Sequence, residues 1–272
     1  MSHGAAYYWQ NKSQALSFFT GVPYGMTSRE LASWVRYLGG QEQWDKIYDQ
    51  FGLKGYLSGD TGTQAGGWFK NELTGVADVQ GLRFRTPGLG GQVWAKLGAS
   101  VTNMAAGEIF AALQSGTLDA AEFVGPYNDL ALGFYQVAKN YYFPSFVEPG
   151  LATELVVNKS KLAELPPDLQ ELVSVCAQAS YDDVASDMYA NDPRALRSLV
   201  DDHGVQVRAF PDEILEAGAK ASMEVIAEIR EGGDALTKET AESFISDFNL
   251  LRERTEGTDA PFLTARQKYI KY

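Results

Sequence analysis

Residues 82–91 of the chain read LRFRTPGLGG and indicate an α/β fold. Apolar and charged side chains alternate from Leu82 to Arg85, which is typical of a short strand, and Pro87 with the glycines after it ends that strand. The guanidinium of Arg85 therefore lies where a strand opens into a loop, and α/β proteins bind their ligands at such points. An arginine there can bind a carboxylate or phosphate through two parallel hydrogen bonds. The alternative interpretation is a solvated arginine at the end of a strand.

Predicted strands and helices alternate on both sides of this segment. The elements predicted before residue 125 are a helix that begins at the capping box of residues 27–30, strands over 53–57, 79–85 and 118–124, and helices over 93–97 and 107–113. This alternation predicts βαβ units and a largely parallel sheet. After Pro166 helical patterns dominate, with one long helix over 168–190 and a helical tail from Glu239 that Gly257 and Pro261 interrupt.

Composition excludes several classes of partner. The chain has 272 residues, of which 45% are hydrophobic, and a formal net charge of -12. The negative charge argues against nucleic acid or an anionic membrane surface as a partner, because both attract positively charged surfaces. The glycine run after Arg85 fails as a dinucleotide motif, since Val93 stands where the third glycine is required. An anionic small ligand remains compatible with the composition if positive charge is concentrated locally.

The single cysteine and the two histidines also limit the chemistry. Cys176 shares one face of a predicted helix with Leu169, Leu172 and Val173, so we expect a buried thiol. One cysteine excludes an intrachain disulfide and a cysteine-based zinc or iron–sulfur site. Two histidines leave little material for a histidine-rich metal site or a Ser-His-Asp triad. A hard cation with oxygen ligands remains open.

Two glutamates are candidates for such an oxygen site. Glu122 lies at the end of a predicted strand, and Glu148 lies in an aromatic-rich turn before the next strand. Carboxylates in apolar surroundings must be paired, protonated or bound to metal. With the amide of Gln64 they would form an all-oxygen cation site. The same two glutamates could instead be the acid and base of a glycosidase-like hydrolase, or ordinary surface acids.

Several segments, taken in order, resemble the periplasmic solute-binding subunits of TRAP transporters (the DctP-like family). The matching segments are residues 6–9 (AYYW), 59–69 (GDTGTQAGGWF), 79–85 (VQGLRFR), 107–122 (GEIFAALQSGTLDAAE) and 157–159 (VNK). They are most similar to the branch that binds 2-oxo acids and other small monocarboxylates. The resemblance implies a non-enzymatic α/β protein of two lobes, type II-like, with crossover connections and a long helix between the lobes.

The resemblance also implies roles for particular residues. Arg85 would bind the substrate carboxylate, with Tyr7 and Tyr8 beside the pocket. A cation, Na⁺ or alternatively Ca²⁺, would be bound by Glu122, the Phe123 carbonyl, Glu148 and Gln64, and Gln64 and Glu148 would also face the substrate. Phe123 stands where this branch usually has tryptophan, which implies a smaller pocket wall.

Localisation, partners and lobe boundaries follow from the same resemblance. The family implies a periplasmic location and a TRAP membrane permease as partner, and we further expect a homodimer and no nucleic acid. The chain as given shows no signal peptide, and its first residues match a position inside the family pattern, so we expect an N-terminal truncation. Residues 1–85 would be the remainder of lobe 1, residues 86–155 mainly lobe 2, and residues 156–272 the crossover and C-terminal helices.

Overall fold

Helix α1, Ser28–Tyr37, shows how directly the sequence directs local structure. A computed structural model describes residues 1–271. The main-chain N–H of Thr27 donates to Glu30 Oε2 at 2.8 Å, which completes the predicted capping box. Leu31, Trp34 and Val35 then follow on the buried face of the helix.

The remaining elements follow along the chain. The other helices are α2 Gly40–Asp49, α3 Gly88–Lys96, α4 Ala106–Ser115, α5 Pro126–Leu132, α6 Lys159–Ala163, α7 Pro167–Asp201, α8 Asp212–Gly232, α9 Ala235–Arg254 and α10 Ala260–Tyr269. The strands are β1 Ser2–Gly4, β2 Leu53–Asp60, β3 Gly67–Phe69, β4 Arg83–Arg85, β5 Ser100–Thr102, β6 Ala120–Ala121, β7 Asn140–Phe143, β8 Ala152–Asn158 and β9 Gln206–Ala209. Short 3-10 helices lie between several of them.

The strands form two sheets, one for each lobe. The three-stranded sheet has the order β1-β8-β2 and is antiparallel throughout. The six-stranded sheet has the order β5-β4-β6-β3-β7-β9 and is mixed, because β3 runs antiparallel to both of its neighbours. The prediction of a largely parallel sheet is therefore wrong for the smaller sheet and incomplete for the larger one. Helix α7 packs against β2 of one sheet and against α5 beside the other, so one long helix spans both lobes.

Strand pairing crosses the lobe boundary that the sequence suggests at residue 85. Strand β3 precedes residue 85 and β4 ends at it, yet both lie in the six-stranded sheet with β5, β6 and β7. The reason is that β4 pairs with β5 on one side and β6 on the other. The assignment of residues 1–85, 86–155 and 156–272 to lobes stays a proposal. The strand pairings do not support its first boundary, at residue 85.

Aromatic side chains fill the core on both faces of the six-stranded sheet. Trp68 and Phe69 point to opposite faces, as neighbouring strand residues must, and each joins a separate buried cluster. The larger cluster continues into the other lobe, where the ring of Phe19 stacks on Trp34 and Trp44 with centroid distances of 5.0 and 4.8 Å. These stacked rings join the two N-terminal helices to the segment that precedes them.

Three local predictions are corrected by the structure. Cys176 is exposed, because α7 buries Ala177 and Tyr181 instead of the face that was expected. The glycines after Arg85 form the first turn of α3 rather than a loop, with Gly88 at φ 61°. Gly257 lies in a π-helical turn that joins α9 to α10, so the tail continues as a helix where an interruption was expected. Among the described residues, no helix is both long and apolar enough to cross a membrane.

We expect Gly55→Ala to destabilise the protein, because the glycine on β2 lies directly against aromatic rings. A Cβ at this position would lie 2.7 Å from the ring of Tyr48 and 2.9 Å from that of Trp44. Overpacking of this kind costs about 1–3 kcal/mol of unfolding free energy. Gly107→Ala is the matched control, since its Cβ would meet no atom within 4 Å and alanine favours the helix. Urea unfolding followed by circular dichroism measures both, and an equal effect of the two substitutions would contradict the packing argument.

Candidate anion and cation site

Arg85 is the last residue of β4, and its guanidinium is buried between two loops. Nη1 donates to the main-chain oxygen of Glu122 at 2.7 Å, and Nε donates to that of Met104 at 3.3 Å. The nearest carboxylate contact is 3.9 Å, from Nη1 to Glu122 Oε2. The ring of Phe123 lies 5.6 Å from Cζ. Within the described residues these hydrogen bonds use Nε and Nη1, which leaves Nη2 available to a ligand anion.

Three polar groups meet beside this guanidinium. The side-chain amide of Gln64 lies 2.8 Å from Glu122 Oε1 and 3.0 Å from the main-chain oxygen of Phe123, and its nitrogen donates to both; its oxygen accepts from Thr61 Oγ1 at 2.9 Å. Rotating the amide by half a turn would bring its oxygen beside the other two oxygens. A cation bound among the three oxygens would stabilise that rotated arrangement. An amide, a carboxylate and a main-chain carbonyl are suitable ligands for Na⁺ or Ca²⁺.

Glu148 supplies a second buried carboxylate. Its main-chain N–H donates to Ser145 Oγ at 3.0 Å, and its main-chain oxygen accepts from the N–H of Gln64 at 3.1 Å. Its side-chain Oε2 is buried and has no hydrogen-bond partner among residues 1–271. A Cβ on Gly21 would lie 1.9 Å from this oxygen, so any side chain at residue 21 would displace the carboxylate from its present position. A buried carboxylate oxygen without a partner is costly, which fits a group that receives its partner from a ligand or cation.

Burial shifts the acidity of both glutamates in the same direction. Burial raises the pKa of Glu122, the positive charge of Arg85 opposes this shift, and Asp129 adds to it. Burial also raises the pKa of Glu148, and the neighbouring charge of Glu122 raises it further against the influence of Arg85. Two buried carboxylates therefore share one guanidinium. An added cation would favour ionisation of both.

The two N-terminal tyrosines occupy different environments. Tyr7 is buried, its N–H donates to Thr20 Oγ1 at 3.1 Å, and its ring lies against Gly88 at the start of α3. Burial and the charge of Glu148 raise the pKa of Tyr7, so its hydroxyl stays protonated and can donate. Tyr8 is half exposed, and its ring centroid lies 4.6 Å from that of Tyr7. Of the two rings named from the sequence, the structure thus buries Tyr7 beside the glutamates and leaves Tyr8 outside.

Sequence reasoning missed two polar residues next to this site. Thr86 is buried, and its Oγ1 lies 3.5 Å from Glu122 Oε2. Asp129, also buried, accepts hydrogen bonds from Trp68, Tyr141 and the N–H of Val124. Its position in the first turn of a short helix after Gly-Pro was the available signal, but its partners are distant in sequence. No group of three or more His, Cys, Asp or Glu side chains able to hold a metal occurs in the described part of the chain, so any cation here depends on amide and carbonyl oxygens as well.

Comparison with known proteins identifies the family. The family described as bacterial extracellular solute-binding protein, family 7 (DctP), matches residues 1–232. The chain belongs to this family. It is also 38% identical, over 226 residues, to a monocarboxylate 2-oxoacid-binding periplasmic protein of Nostoc sp., an alignment that covers 83% of this chain and 62% of that protein. The chain thus spans less than two thirds of the length of that relative.

Two solved structures of TRAP periplasmic solute-binding proteins share the fold. The protein from Pseudoalteromonas atlantica T6c, with bound sodium and pyruvate, is 36% identical with a TM-score of 0.92, over 97% of this chain and 80% of that one. The protein from Bordetella bronchiseptica RB50, a mixed occupancy dimer with copurified calcium and picolinate in an active site, is 30% identical with a TM-score of 0.95, over 98% and 79%. These likenesses confirm the two-lobe α/β fold and the family, which is one of binding proteins, and they give the hydrolase alternative no support.

We expect the ligand-free protein to lose stability as pH rises, because the folded state raises the pKa of Glu122 and Glu148. Between the unfolded and the raised folded pKa, the folded chain holds protons that the unfolded chain has released, so unfolding becomes easier with each increment of pH. Glu148→Gln removes one of these groups. It should therefore raise the melting temperature at about pH 8.5 by several degrees and leave it nearly unchanged at about pH 5.

Thermal unfolding in a buffer free of Na⁺ and Ca²⁺ measures this effect. Adding either cation should reduce the pH dependence of the parent chain more than that of the variant, which keeps only Glu122 of the two groups. A parent protein whose melting temperature rises steadily from pH about 5 to about 8.5 would contradict the burial argument.

Proposed function

We propose that the chain is the solute receptor of a TRAP transporter and binds a small monocarboxylate together with a cation. The observation that carries this proposal is the buried guanidinium of Arg85 beside the side-chain amide of Gln64, the carboxylate of Glu122 and the main-chain oxygen of Phe123. The ligand class is a 2-oxo acid such as pyruvate, or a lactate-like acid. Its support comes from the Nostoc relative, which is a 2-oxoacid-binding protein, and from the pyruvate in the Pseudoalteromonas structure.

The charges of the site explain why a cation belongs to the proposal. With Glu122 and Glu148 ionised, the two carboxylates and Arg85 together carry one net negative charge, which would repel a carboxylate ligand. A cation on Gln64, Glu122, the Phe123 carbonyl and Glu148 offsets this charge and can also contact the ligand. We propose Na⁺, with Ca²⁺ as the alternative. The Pseudoalteromonas structure contains sodium and the Bordetella structure contains calcium.

The neighbouring side chains would then divide the work of recognition. Arg85 Nη2 donates to the ligand carboxylate, and the protonated hydroxyl of Tyr7 is the second donor. Glu148 and Gln64 face both ligand and cation, while the ring of Phe123 packs near the guanidinium, 5.6 Å from Cζ. Tyr8, which is half exposed, would cover Tyr7 rather than contact the ligand directly.

The wider setting is proposed on the same basis. A receptor of this family would act in the periplasm and deliver its ligand to a TRAP membrane permease. We also propose a homodimer that involves helix α10, which exposes Phe262, Leu263 and Tyr269. These large apolar side chains on one terminal helix are better covered by a second copy than by water. The Bordetella protein was found as a dimer.

Arg85→Ala should abolish carboxylate binding, while Arg83→Ala should not. Arg83 is two residues earlier on the same strand, is exposed and pairs with Asp119, so it is the matched control. Losing a buried charge-assisted contact should weaken affinity by at least about 100-fold, whereas an exposed pair contributes little. Titration of tryptophan fluorescence with pyruvate, 2-oxobutyrate and lactate, at saturating Na⁺ or Ca²⁺, measures this. Equal affinities of Arg85→Ala and the parent chain would refute the assignment, and turnover of a glycoside that depends on Glu122 would favour the hydrolase.

The dimer proposal has its own measurement. Replacing Phe262 and Tyr269 by serine should shift sedimentation from dimer to monomer without changing carboxylate affinity, because α10 contains no residue of the site. Substituting the exposed Tyr189 of α7 by serine is the control, and it should leave the dimer intact. A parent chain that sediments as a monomer at concentrations of about 100 µM would contradict the proposal.

A further inference from the structure

Asp129 is the most completely buried carboxylate near the site, yet it touches neither of the proposed ligands. It is 0% exposed. Its Oδ2 accepts hydrogen bonds from Trp68 Nε1 and from the hydroxyl of Tyr141, both at 2.8 Å, and its Oδ1 accepts from the main-chain N–H of Val124 at 3.3 Å. The rings of Trp68 and Tyr141 stack on each other with a centroid distance of 3.9 Å. The two side-chain donors, Trp68 and Tyr141, therefore fix the orientation of the carboxylate that accepts from Val124.

The N–H of Val124 belongs to the same peptide group as the carbonyl of Phe123. A peptide group is planar and trans, so its N–H and C=O point in opposite directions, and fixing one fixes the other. On the far side, that carbonyl oxygen lies 3.0 Å from the side-chain amide of Gln64, at the proposed cation site. We infer that Asp129 is the positioning residue of the cation site, orienting and polarising the Phe123 carbonyl through the Phe123–Val124 peptide group.

Two further contacts support this role. The carbonyl of Val124 accepts from the N–H of Ala65 at 2.9 Å, so the next peptide group is bonded to the residue after Gln64. Hydrogen bonds to Asp129 and to Ala65 thus hold the segment that carries Phe123. When Asp129 is ionised, its charge on this N–H also increases the negative charge on the carbonyl oxygen of the same peptide group, which strengthens that oxygen as a cation ligand.

A purely structural role for Asp129, as a cap of the short helix α5, predicts a different behaviour. A cap contributes to folding stability alone. A positioning residue changes the cation affinity of the folded protein, and it changes carboxylate affinity only through the cation. The inference rests on the proposed function, because it assumes that the Phe123 carbonyl is a cation ligand.

Asp129→Asn is the decisive substitution. The variant keeps one side-chain oxygen, which would still accept from Trp68 and Tyr141. Its NH₂ group would face the N–H of Val124, and because both are donors, that hydrogen bond is lost. Glu154→Gln is the matched control, since Glu154 is a buried carboxylate of the other sheet that accepts from Tyr48 at 2.8 and 2.6 Å. Calorimetric titration of pyruvate into the full chain at increasing Ca²⁺, and separately at increasing Na⁺, gives the cation concentration at half-maximal affinity.

We expect Asp129→Asn to raise that cation concentration about tenfold, with pyruvate affinity at saturating cation within about threefold of the parent chain. Glu154→Gln should leave both values unchanged. An unchanged cation midpoint in folded Asp129→Asn would overturn the inference. A parent chain that does not bind pyruvate, or whose pyruvate affinity does not change with either cation, would instead refute the proposed function. If Asp129→Asn does not fold, Tyr141→Phe decides: a smaller shift in the same direction supports the inference, and an unchanged midpoint overturns it.

Discussion

The hydrogen bond from Arg85 Nη1 to the main-chain oxygen of Glu122 is the contact on which the rest of the site depends. It joins the ends of two strands that pair in parallel, β4 and β6, and so places the guanidinium beside the turn that follows β6. The N–H of Glu122 in turn donates to the main-chain oxygen of Arg85 at 2.9 Å. The guanidinium thus bonds to the main chain of Glu122, while the Glu122 carboxylate oxygen lies 3.9 Å from Nη1, beyond hydrogen-bond distance.

The same geometry makes the site costly for the folded protein. A buried arginine, two buried glutamates and a third buried carboxylate at Asp129 lie close together. Partial satisfaction of such a network destabilises a protein, while full satisfaction makes it rigid and specific. The unpartnered Oε2 of Glu148 is the place where satisfaction is incomplete. A binding protein gains from this arrangement, since the missing interactions become available to ligand and cation and add to their affinity.

Tertiary packing brings these groups together through close approaches that tolerate no side chain. Gly21 leaves the space for the Glu148 carboxylate, and Gly88, at φ 61°, accommodates the ring of Tyr7 at the start of α3. Gly88 needs to be glycine for two reasons, the left-handed backbone and the ring that lies against it. Both contacts link the N-terminal segment to the neighbourhood of Arg85, so the wall of the pocket is built from chain segments far apart in sequence.

The sequence by itself determined those features that depend only on residues close together along the chain. The capping box of α1, the strand that ends at Arg85 and the long helix α7 follow from local patterns, and the ordered segments were specific enough to identify the family. Only the tertiary structure decided strand direction in the smaller sheet, the exposed face of α7 that carries Cys176, and the inward position of Tyr7. It alone also revealed the buried position of Asp129 on α5, whose partners Trp68 and Tyr141 lie on β3 and β7. Periodicity reports which face of an element is apolar, but the partner that covers that face, or the donors that meet in a buried turn, are fixed by contacts between distant residues.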